Sequence, residues 1–198
     1  VSVLVTGFEA FGPVRKNPSE AVLALLPDQV EGHTLSTAIL PVDAVRIAPK
    51  LQALYAGDFD LVIHTGVARE RSYFSLEQVA QNRLSFDLPD NAGRTLQGQA
   101  VLPEGPPTLH TRLPIEAISE AWDRLGVAQQ PSEDAGTYLC NQTFYLALHW
   151  LDDHIPVGFI HLPPDERMAP EGPHVPLAVQ AKALLAAVRA ALAPELSS

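Results

Sequence analysis

Cys140 is the residue whose type and position most strongly suggest covalent chemistry, and it is the one cysteine of the chain. A lone cysteine is usually a buried, unreactive small hydrophobe. Here, however, the segment Ala135-Gly136-Thr137-Tyr138 indicates a turn, and Cys140 stands at the predicted start of the following helix. A helix N-terminus carries a partial positive charge and unpaired N–H groups, which favour a thiolate and can bind an oxyanion during acyl transfer. We therefore expect Cys140 to be a nucleophile whose pKa lies well below the usual cysteine value.

A thiol nucleophile needs a group that moves its proton, and two histidines have suitable positions. His161 ends the apolar segment Gly158-Phe159-Ile160-His161, and His64 lies near the end of Leu61-Val62-Ile63-His64-Thr65. In a parallel sheet the carboxyl ends of the strands line the ligand crevice. Either histidine can instead be a structural residue that forms hydrogen bonds at a strand end, so the residues alone leave both candidates open.

A third group should orient the imidazole, and Glu77 is the candidate. It lies among apolar neighbours in the segment Ser75-Leu76-Glu77-Gln78-Val79-Ala80. Burying an unpaired carboxylate is costly, so we expect Glu77 to have a partner. That partner is either the histidine of a catalytic triad or the cation of a structural ion pair.

Signatures of other chemistry do not occur in the sequence. Gly7 and Gly12 have a P-loop-like spacing, but Pro13 and Val14 stand where Lys and Ser or Thr are required. The chain has no GxGxxG, HExxH, CxxC or GxSxG motif. We therefore expect no metal site, no cofactor and no serine nucleophile.

The first third of the chain has the pattern of strands that alternate with helices. We predict strands at residues 1–6, 34–40 and 61–65, because these segments are apolar or rich in β-branched residues. We predict one helix that begins at Asn17-Pro18-Ser19-Glu20, where Asn is a good N-cap and Pro fits the first turn, and another at 43–55. This order favours right-handed crossovers and a mostly parallel sheet. The predicted fold class is α/β, as a single three-layer α/β/α domain with helices on both faces of a twisted sheet.

The remainder of the chain is less regular, but it contains the segments that carry the candidate nucleophile and imidazole. Residues 69–82 are either strand or loop, and the Pro-, Gly- and Asp-rich residues 88–107 predict long surface loops or a small hairpin. The proline-rich stretch 163–176 is predicted to be a loop. No segment has the composition of an interdomain linker, so residues 1–198 are expected to form one domain. The other predicted elements are helices at 114–125, 140–151 and 177–192 and strands at 127–130 and 157–162.

The composition is that of a folded protein, since 46% of the residues are hydrophobic and 18% are charged. The formal net charge of -10 disfavours binding to a phosphate backbone or an anionic membrane. No apolar run approaches the roughly 20 residues of a membrane span, and no basic segment precedes the first apolar residues. One cysteine excludes an internal disulfide. We therefore expect a cytoplasmic protein that binds neither nucleic acid nor membranes.

Several segments together resemble the pyrrolidone-carboxylate peptidases, the family of type I pyroglutamyl peptidases. They occur in the family's order along nearly the whole chain, and their combination is much more specific than any one of them. The segments are Val3-Leu4-Val5-Thr6-Gly7-Phe8-Glu9-Ala10-Phe11-Gly12 with Asn17-Pro18, Leu76-Glu77-Gln78-Val79-Ala80-Gln81-Asn82, Pro89-Asp90-Asn91, Asp134-Ala135-Gly136-Thr137-Tyr138-Leu139-Cys140-Asn141 and Gly158-Phe159-Ile160-His161-Leu162-Pro163.

The resemblance implies a cysteine peptidase that releases an N-terminal pyroglutamyl residue from peptides through a thioester intermediate. It selects His161 over His64 as the proton carrier and makes Glu77 the acid that orients it, with Cys140 as the nucleophile. It also implies a pocket for the five-membered lactam, in which aromatic side chains pack on the ring. The substrate-binding positions that match the family are Phe8, Phe11, Asn17, Leu88, Tyr138 and Leu139. The asparagine among them is equally explained as the N-cap of the first helix.

The resemblance has departures, and an alternative function stays open. Family members often carry an arginine two residues before the Pro-Asp-Asn motif, where this chain has Asp87, and Arg83 and Arg94 are the candidates to replace it. Val67 stands in a segment where some relatives have glutamine. The alternative is a catalytically weak or inactive family member that binds a lactam or a peptide. Because relatives often form homo-oligomers, a dimer or tetramer is also expected by resemblance.

Overall fold

A seven-stranded sheet forms the centre of the computed structural model, which describes residues 2–193. The strands of these residues are β1 (Ser2–Phe8), β2 (Gln29–Val30), β3 (His33–Leu40), β4 (Leu61–Val67), β5 (Phe74–Glu77), β6 (Val79–Gln81), β7 (Leu84–Phe86), β8 (Leu96–Gln99), β9 (Thr108–His110), β10 (Gln129–Ser132) and β11 (Val157–Leu162). Seven of them lie side by side in the order β10-β5-β11-β4-β1-β3-β2. Strands β11, β4, β1 and β3 are parallel to one another, whereas β5 and β10 run the other way and β2 is antiparallel to β3. The expectation of a mostly parallel sheet is confirmed.

Helices cover both faces of this sheet. They are α1 (Pro18–Leu23), α2 (Ile47–Leu54), α3 (Ile115–Leu125), α4 (Leu139–Trp150) and α5 (Leu177–Leu192). Side chains that alternate along β1 point into two cores: Val3 and Val5 pack with α1, α3 and α5, and Leu4 packs with α2 and α4. The predicted three-layer α/β/α architecture is therefore confirmed. Within residues 2–193, no helix combines the length and apolar character that a membrane span requires.

Helix α2 is shorter than the predicted helix at 43–55, because local chemistry delays its start until Ile47. The Asp43 side chain accepts a hydrogen bond from Val45 N–H at 2.9 Å and holds a turn in place of the expected first helical turn. Pro49 has no N–H to donate, so it fits the first turn of a helix but not the interior of one that starts earlier.

Strand β5 brings distant segments of the chain together at β11. The sequence allows strand or loop at residues 69–82, and the structure has two strands there, β5 and β6. Because β5 is antiparallel to β11, Glu77 pairs with Phe159 and Ser75 pairs with His161. Glu77 and His161 therefore lie two positions apart along adjacent strands, on the same face of the sheet.

The remaining elements follow the predictions with small shifts. Strand β8 lies in the stretch 88–107 and forms a two-stranded ribbon with β7, while β6 and β9 form another. Helices α3, α4 and α5 begin within one residue of their predicted starts. Residues 163–176 contain no helix or strand, as predicted.

Candidate active site

His161 and Glu77 form a hydrogen-bonded pair at the boundary between β11 and β5. The His161 Nδ1–H donates to Glu77 Oε1 over 2.6 Å, although the two residues are 84 positions apart in the sequence. Both side chains are buried, with exposures of 8% and 0%. Because a carboxylate only accepts hydrogen bonds, this contact keeps a proton on Nδ1 and leaves Nε2 as the nitrogen that can take up another. The pair has the geometry of an oriented general base.

Arg71 is a second partner of Glu77, and the sequence analysis missed it. Its Nη1 lies 2.7 Å from the same Oε1 atom, and its Nη2 donates to the backbone oxygen of Asp134 over 3.3 Å. Burial acts to raise the pKa of Glu77, but the hydrogen bond and charge of His161 and the hydrogen bond from Arg71 hold that pKa below its usual value. Glu77 thus pairs both with a histidine and with a cation, the two kinds of partner that the sequence analysis left open. A cation shortly before a buried carboxylate is the sequence signal that points to this contact.

Cys140 is the second residue of α4, and its thiol lies over the carboxyl end of β4. The first hydrogen bond of the helix runs from Gln142 N–H to Tyr138 O, so the Cys140 N–H has no carbonyl partner within the helix. A Cβ atom placed on Gly66 of β4 would lie 2.7 Å from Cys140 Sγ and 3.0 Å from Phe159 Cζ. Any side chain at position 66 would therefore displace the thiol.

The surroundings of this thiol raise its pKa instead of lowering it. Burial raises the pKa of Cys140 to about 12, the negative charge of Glu77 adds to this, and the residue's own backbone N–H acts in the opposite direction. The expectation of a lowered pKa is therefore wrong, because the helix N-terminus has a smaller effect than the removal of a thiolate from water. At neutral pH Cys140 is a thiol, and it needs a neighbouring base to become a nucleophile.

Cys140 and His161 line the same small cavity, which has a volume of about 130 Å³. Leu88 lies outside this cavity, contrary to expectation. The residue is 39% exposed and packs over the turn at Gly12, where a Cβ would lie 3.6 Å from Leu88 Cδ1. The other expected substrate-binding residues do line the cavity, which is mostly apolar: Phe8, Phe11, Asn17, Tyr138 and Leu139, together with Val42, Val67 and Ala135.

A tight turn places Phe11 at the cavity. Phe11 and Val14 exchange two backbone hydrogen bonds of 3.1 and 2.7 Å, and Gly12 between them has a φ of 47°, which other residues rarely adopt. Asn91 supports the preceding chain, since its side-chain N–H group donates to Glu9 Oε1 over 3.0 Å. The Pro-Asp-Asn segment therefore has a structural role that the sequence analysis did not assign.

Asn17 caps α1 and also lines the cavity. Its Oδ1 accepts hydrogen bonds from the N–H and the hydroxyl of Ser19, at 3.0 and 2.8 Å, and Pro18 occupies the first helical turn. Its Nδ2 donates to the backbone oxygen of Glu9 over 3.1 Å. The predicted N-cap is confirmed, and the same side chain fixes the segment that forms one wall of the cavity.

His64, the other histidine near a strand end, is enclosed between two hydroxyl groups. Its Nδ1 lies 2.6 Å from Thr6 Oγ1, and its Nε2 lies 2.7 Å from the hydroxyl of Tyr55. Burial lowers the pKa of His64 to about 3. Because both ring nitrogens have partners and the residue does not line the cavity, it has the features of a structural histidine.

Arg94 does not supply a cation to the cavity in place of the residue at position 87. Its Nη1 pairs with Asp43 Oδ1 at 3.0 Å, and neither Arg94 nor Arg83 lines the cavity. Asp87 itself accepts a hydrogen bond from Gln97 Nε2 over 2.6 Å, beside the β7–β8 ribbon. In the part of the chain that the structure describes, no three His, Cys, Asp or Glu side chains are grouped as metal ligands.

One protein family accounts for almost the whole chain. A sequence model described as pyroglutamyl peptidase matches residues 1–194. The chain belongs to the pyroglutamyl peptidase family. The family match includes every residue of the proposed Cys140, His161 and Glu77 triad and of the cavity around it.

Other pyroglutamyl peptidases are similar to this chain over most of their length. A pyrrolidone-carboxylate peptidase from Pseudomonas fluorescens is 39% identical over 199 residues, which are 96% of this chain and 92% of that protein. One from Deinococcus radiodurans is 35% identical over 175 residues, which are 85% of this chain and 80% of that protein. The crystal structure of pyrrolidone carboxyl peptidase from Thermus thermophilus matches with a TM-score of 0.92 at 46% identity, over 94% of this chain and 98% of that chain. The family resemblance seen in the sequence is confirmed.

Proposed function

We propose that the chain, as a single catalytic domain over residues 1–198, is a cysteine peptidase that hydrolyses the bond after an N-terminal pyroglutamyl residue. The observation that carries this proposal is the small apolar cavity that both Cys140 and His161 line, with Glu77 behind the imidazole. The relatives named pyrrolidone-carboxylate peptidase support the same chemistry.

The first half of the proposed reaction forms a thioester. Cys140 Sγ gives its proton to His161 Nε2 and attacks the carbonyl carbon of the pyroglutamyl residue. The oxyanion that results accepts a hydrogen bond from the Cys140 N–H, which has no carbonyl partner within α4. The C–N bond then breaks as His161 delivers its proton to the leaving amine, and the shortened peptide departs.

The second half hydrolyses the thioester. His161 takes a proton from water, the hydroxide attacks the thioester carbonyl, and Sγ leaves and regains its proton from the imidazolium. Glu77 holds the imidazole in place and stabilises its cationic form in both halves. Because burial raises the pKa of Cys140, the resting nucleophile is a thiol, and its proton moves as the new bond forms.

The cavity lining favours a lactam over an open-chain residue. A pyroglutamyl ring has no charged α-amine, so it can pack against Phe8, Phe11 and Leu139 without a desolvated charge. An N-terminal glutamate would bring an ammonium and a carboxylate into the same apolar surroundings, where unpaired charges are costly. We therefore expect strong selectivity for the cyclised residue.

Release of a chromogenic amine from its pyroglutamyl amide tests this proposal. The reduced protein should cleave this amide and leave the glutamyl and prolyl amides nearly untouched. Cys140→Ser keeps the shape of the side chain but offers a poorly ionised hydroxyl, and it should lose several orders of magnitude in kcat while still folding. Binding of 2-pyrrolidone without turnover of any pyroglutamyl substrate would contradict the proposal and favour a binding protein.

Partners and location complete the proposal. Peptides with an N-terminal pyroglutamyl residue are the proposed ligands, with no cofactor, nucleic acid or membrane. A homodimer or homotetramer is proposed by resemblance, and size-exclusion chromatography with light scattering measures it. The single cysteine motivates a cytoplasmic location, which fractionation of the source cells would test.

A further inference from the structure

Three exposed cations without a carboxylate partner lie together beside the candidate active site. The chain has 13 Lys and Arg against 23 Asp and Glu, and six of these basic side chains make an ion pair among the described residues. Arg71 and Arg94, for example, pair with Glu77 and Asp43. Among the described residues, three exposed cations that lie close together make no such ion pair: Arg15, Lys16 and Arg69.

These three cations line one groove together with Arg167, and we call it the basic groove. The groove has a volume of about 300 Å³, and its lining contains no Asp or Glu. Arg167 pairs with the buried Asp165, so its charge is partly neutralised. Arg15, Lys16 and Arg69 therefore supply the unbalanced positive charge.

The basic groove lies at the same edge of the sheet as the candidate active site. Arg15 and Lys16 stand in the short segment between Phe11 and Asn17, and both of these residues line the cavity. Arg69 follows the carboxyl end of β4, and the fourth cation of the groove follows the carboxyl end of β11. The groove and the cavity thus share the ends of the same three adjacent strands, β1, β4 and β11.

The leaving part of a peptide substrate begins at this edge of the sheet. With the lactam in the cavity, the leaving amine must lie beside His161 in order to receive its proton. His161 stands next to Gly66 in the register of β11 and β4, and the chain continues from these strands into the segments that carry Arg167 and Arg69. An extended peptide advances about 3.3–3.6 Å per residue, so a few residues beyond the scissile bond extend well past His161.

We infer that the basic groove binds a carboxylate of the leaving peptide, so that this chain prefers anionic pyroglutamyl peptides to neutral or cationic ones. The inference rests on the proposed peptidase activity and adds a substrate class to it. The carboxylate comes from an acidic side chain or from the C-terminus of a short peptide. Because exposed ion pairs are individually weak and are screened by salt, we expect about a three- to tenfold preference in kcat/KM, mainly through KM.

Four matched substrates test the inference. They are the amide of pyroglutamyl-alanyl-glutamate, the same amide with glutamine or lysine in place of glutamate, and the glutamine peptide with a free C-terminus. At low ionic strength the glutamate amide or the free-acid peptide should exceed the glutamine amide in kcat/KM, and the lysine amide should be the poorest. Whichever anionic peptide is favoured identifies the source of the carboxylate, and high salt should remove the difference. Equal kcat/KM values for all four at low salt overturn the inference.

Substitutions in the groove locate the effect. Arg15→Gln and Arg69→Gln should each reduce the preference, and the double variant should abolish it. Lys182→Gln makes the same change in net charge as either single substitution, at an exposed position of α5, and should retain the preference. A preference that survives in the double variant overturns the assignment to this groove. The chromogenic pyroglutamyl amide carries no carboxylate, so its cleavage does not depend on the groove. A protein that cannot cleave it refutes the proposed function. An active enzyme without a charge preference refutes only the inference about the groove.

Discussion

The buried imidazole of His64 makes the stability of this fold depend on pH, and the size of the effect can be worked out. In the folded state both ring nitrogens contact hydroxyl groups, and burial lowers the pKa of His64 to about 3 from 6.5. In the unfolded chain the imidazole titrates near its usual value, so below that pH the unfolded state binds a proton that the folded state rejects. His64 therefore lowers the free energy of unfolding as the pH falls through 6.5 towards 3.

One pKa unit corresponds to about 1.4 kcal/mol. At about pH 5, the unfolded chain gains about 2 kcal/mol from protonation of His64, and the gain reaches about 5 kcal/mol near pH 3. Above pH 6.5 this contribution disappears, because the imidazole is neutral in both states. A loss of 2 kcal/mol is a substantial part of the stability of an ordinary domain.

Urea unfolding at about pH 7.5 and about pH 5 measures this effect. His64→Gln removes the titrating group, so the variant should lose about 2 kcal/mol less than the unmodified protein between these two values. His154→Gln, at an exposed position, is the matched control and should behave like the unmodified protein. If His64→Gln and the unmodified protein lose the same free energy of unfolding between these pH values, the reasoning is refuted.

Three further predictions concern the candidate active site. Gly66→Ala places a Cβ atom 2.7 Å from Cys140 Sγ, and the displaced thiol should lower kcat by about a hundredfold while circular dichroism remains native. Because burial raises the pKa of Cys140 to about 12, its alkylation by iodoacetamide should accelerate about tenfold per pH unit from neutral to alkaline pH, and 2-pyrrolidone should slow it. A rate that is already maximal below neutral pH would show instead that the thiolate is preformed. Arg71→Gln removes the contacts to Glu77 and Asp134, and should lower kcat about tenfold with little change in KM, whereas Arg71→Lys should recover part of the loss. Steady-state kinetics in which both variants match the unmodified protein would contradict a positioning role.

Features that depend on neighbouring residues could be predicted from the sequence. The apolar strands β1, β4 and β11, the cap at Asn17 and the closing helix α5 follow from short-range preferences, and their predicted positions agree closely with the structure. The placement of Cys140 at a helix start and of His161 at a strand end has the same origin, because a turn and an apolar run are local patterns. The family motifs then connected these two residues with Glu77.

Features that depend on contacts between distant residues were decided by the tertiary structure. The antiparallel insertion of β5 beside β11 brings Glu77 to His161, and the same chain path brings Arg71 to both Glu77 and the loop before α4. The contact between Glu77 and His161 joins residues 84 positions apart, so no local pattern contains it. The family resemblance implied a place for Leu88 at the cavity, but this residue is 39% exposed and packs over Gly12.

The pKa of Cys140 illustrates the physical reason. The sequence determined that this residue would begin a helix, and the field of that helix favours a thiolate. Whether the field prevails depends on what covers the sulfur and which charges lie near it. In the folded protein β4 lies against Sγ at Gly66, and Glu77 adds a negative charge, so desolvation and repulsion outweigh the helix and the resting group is a thiol. How far a side chain is removed from water depends on contacts with residues from the whole fold, so only the tertiary structure determines it.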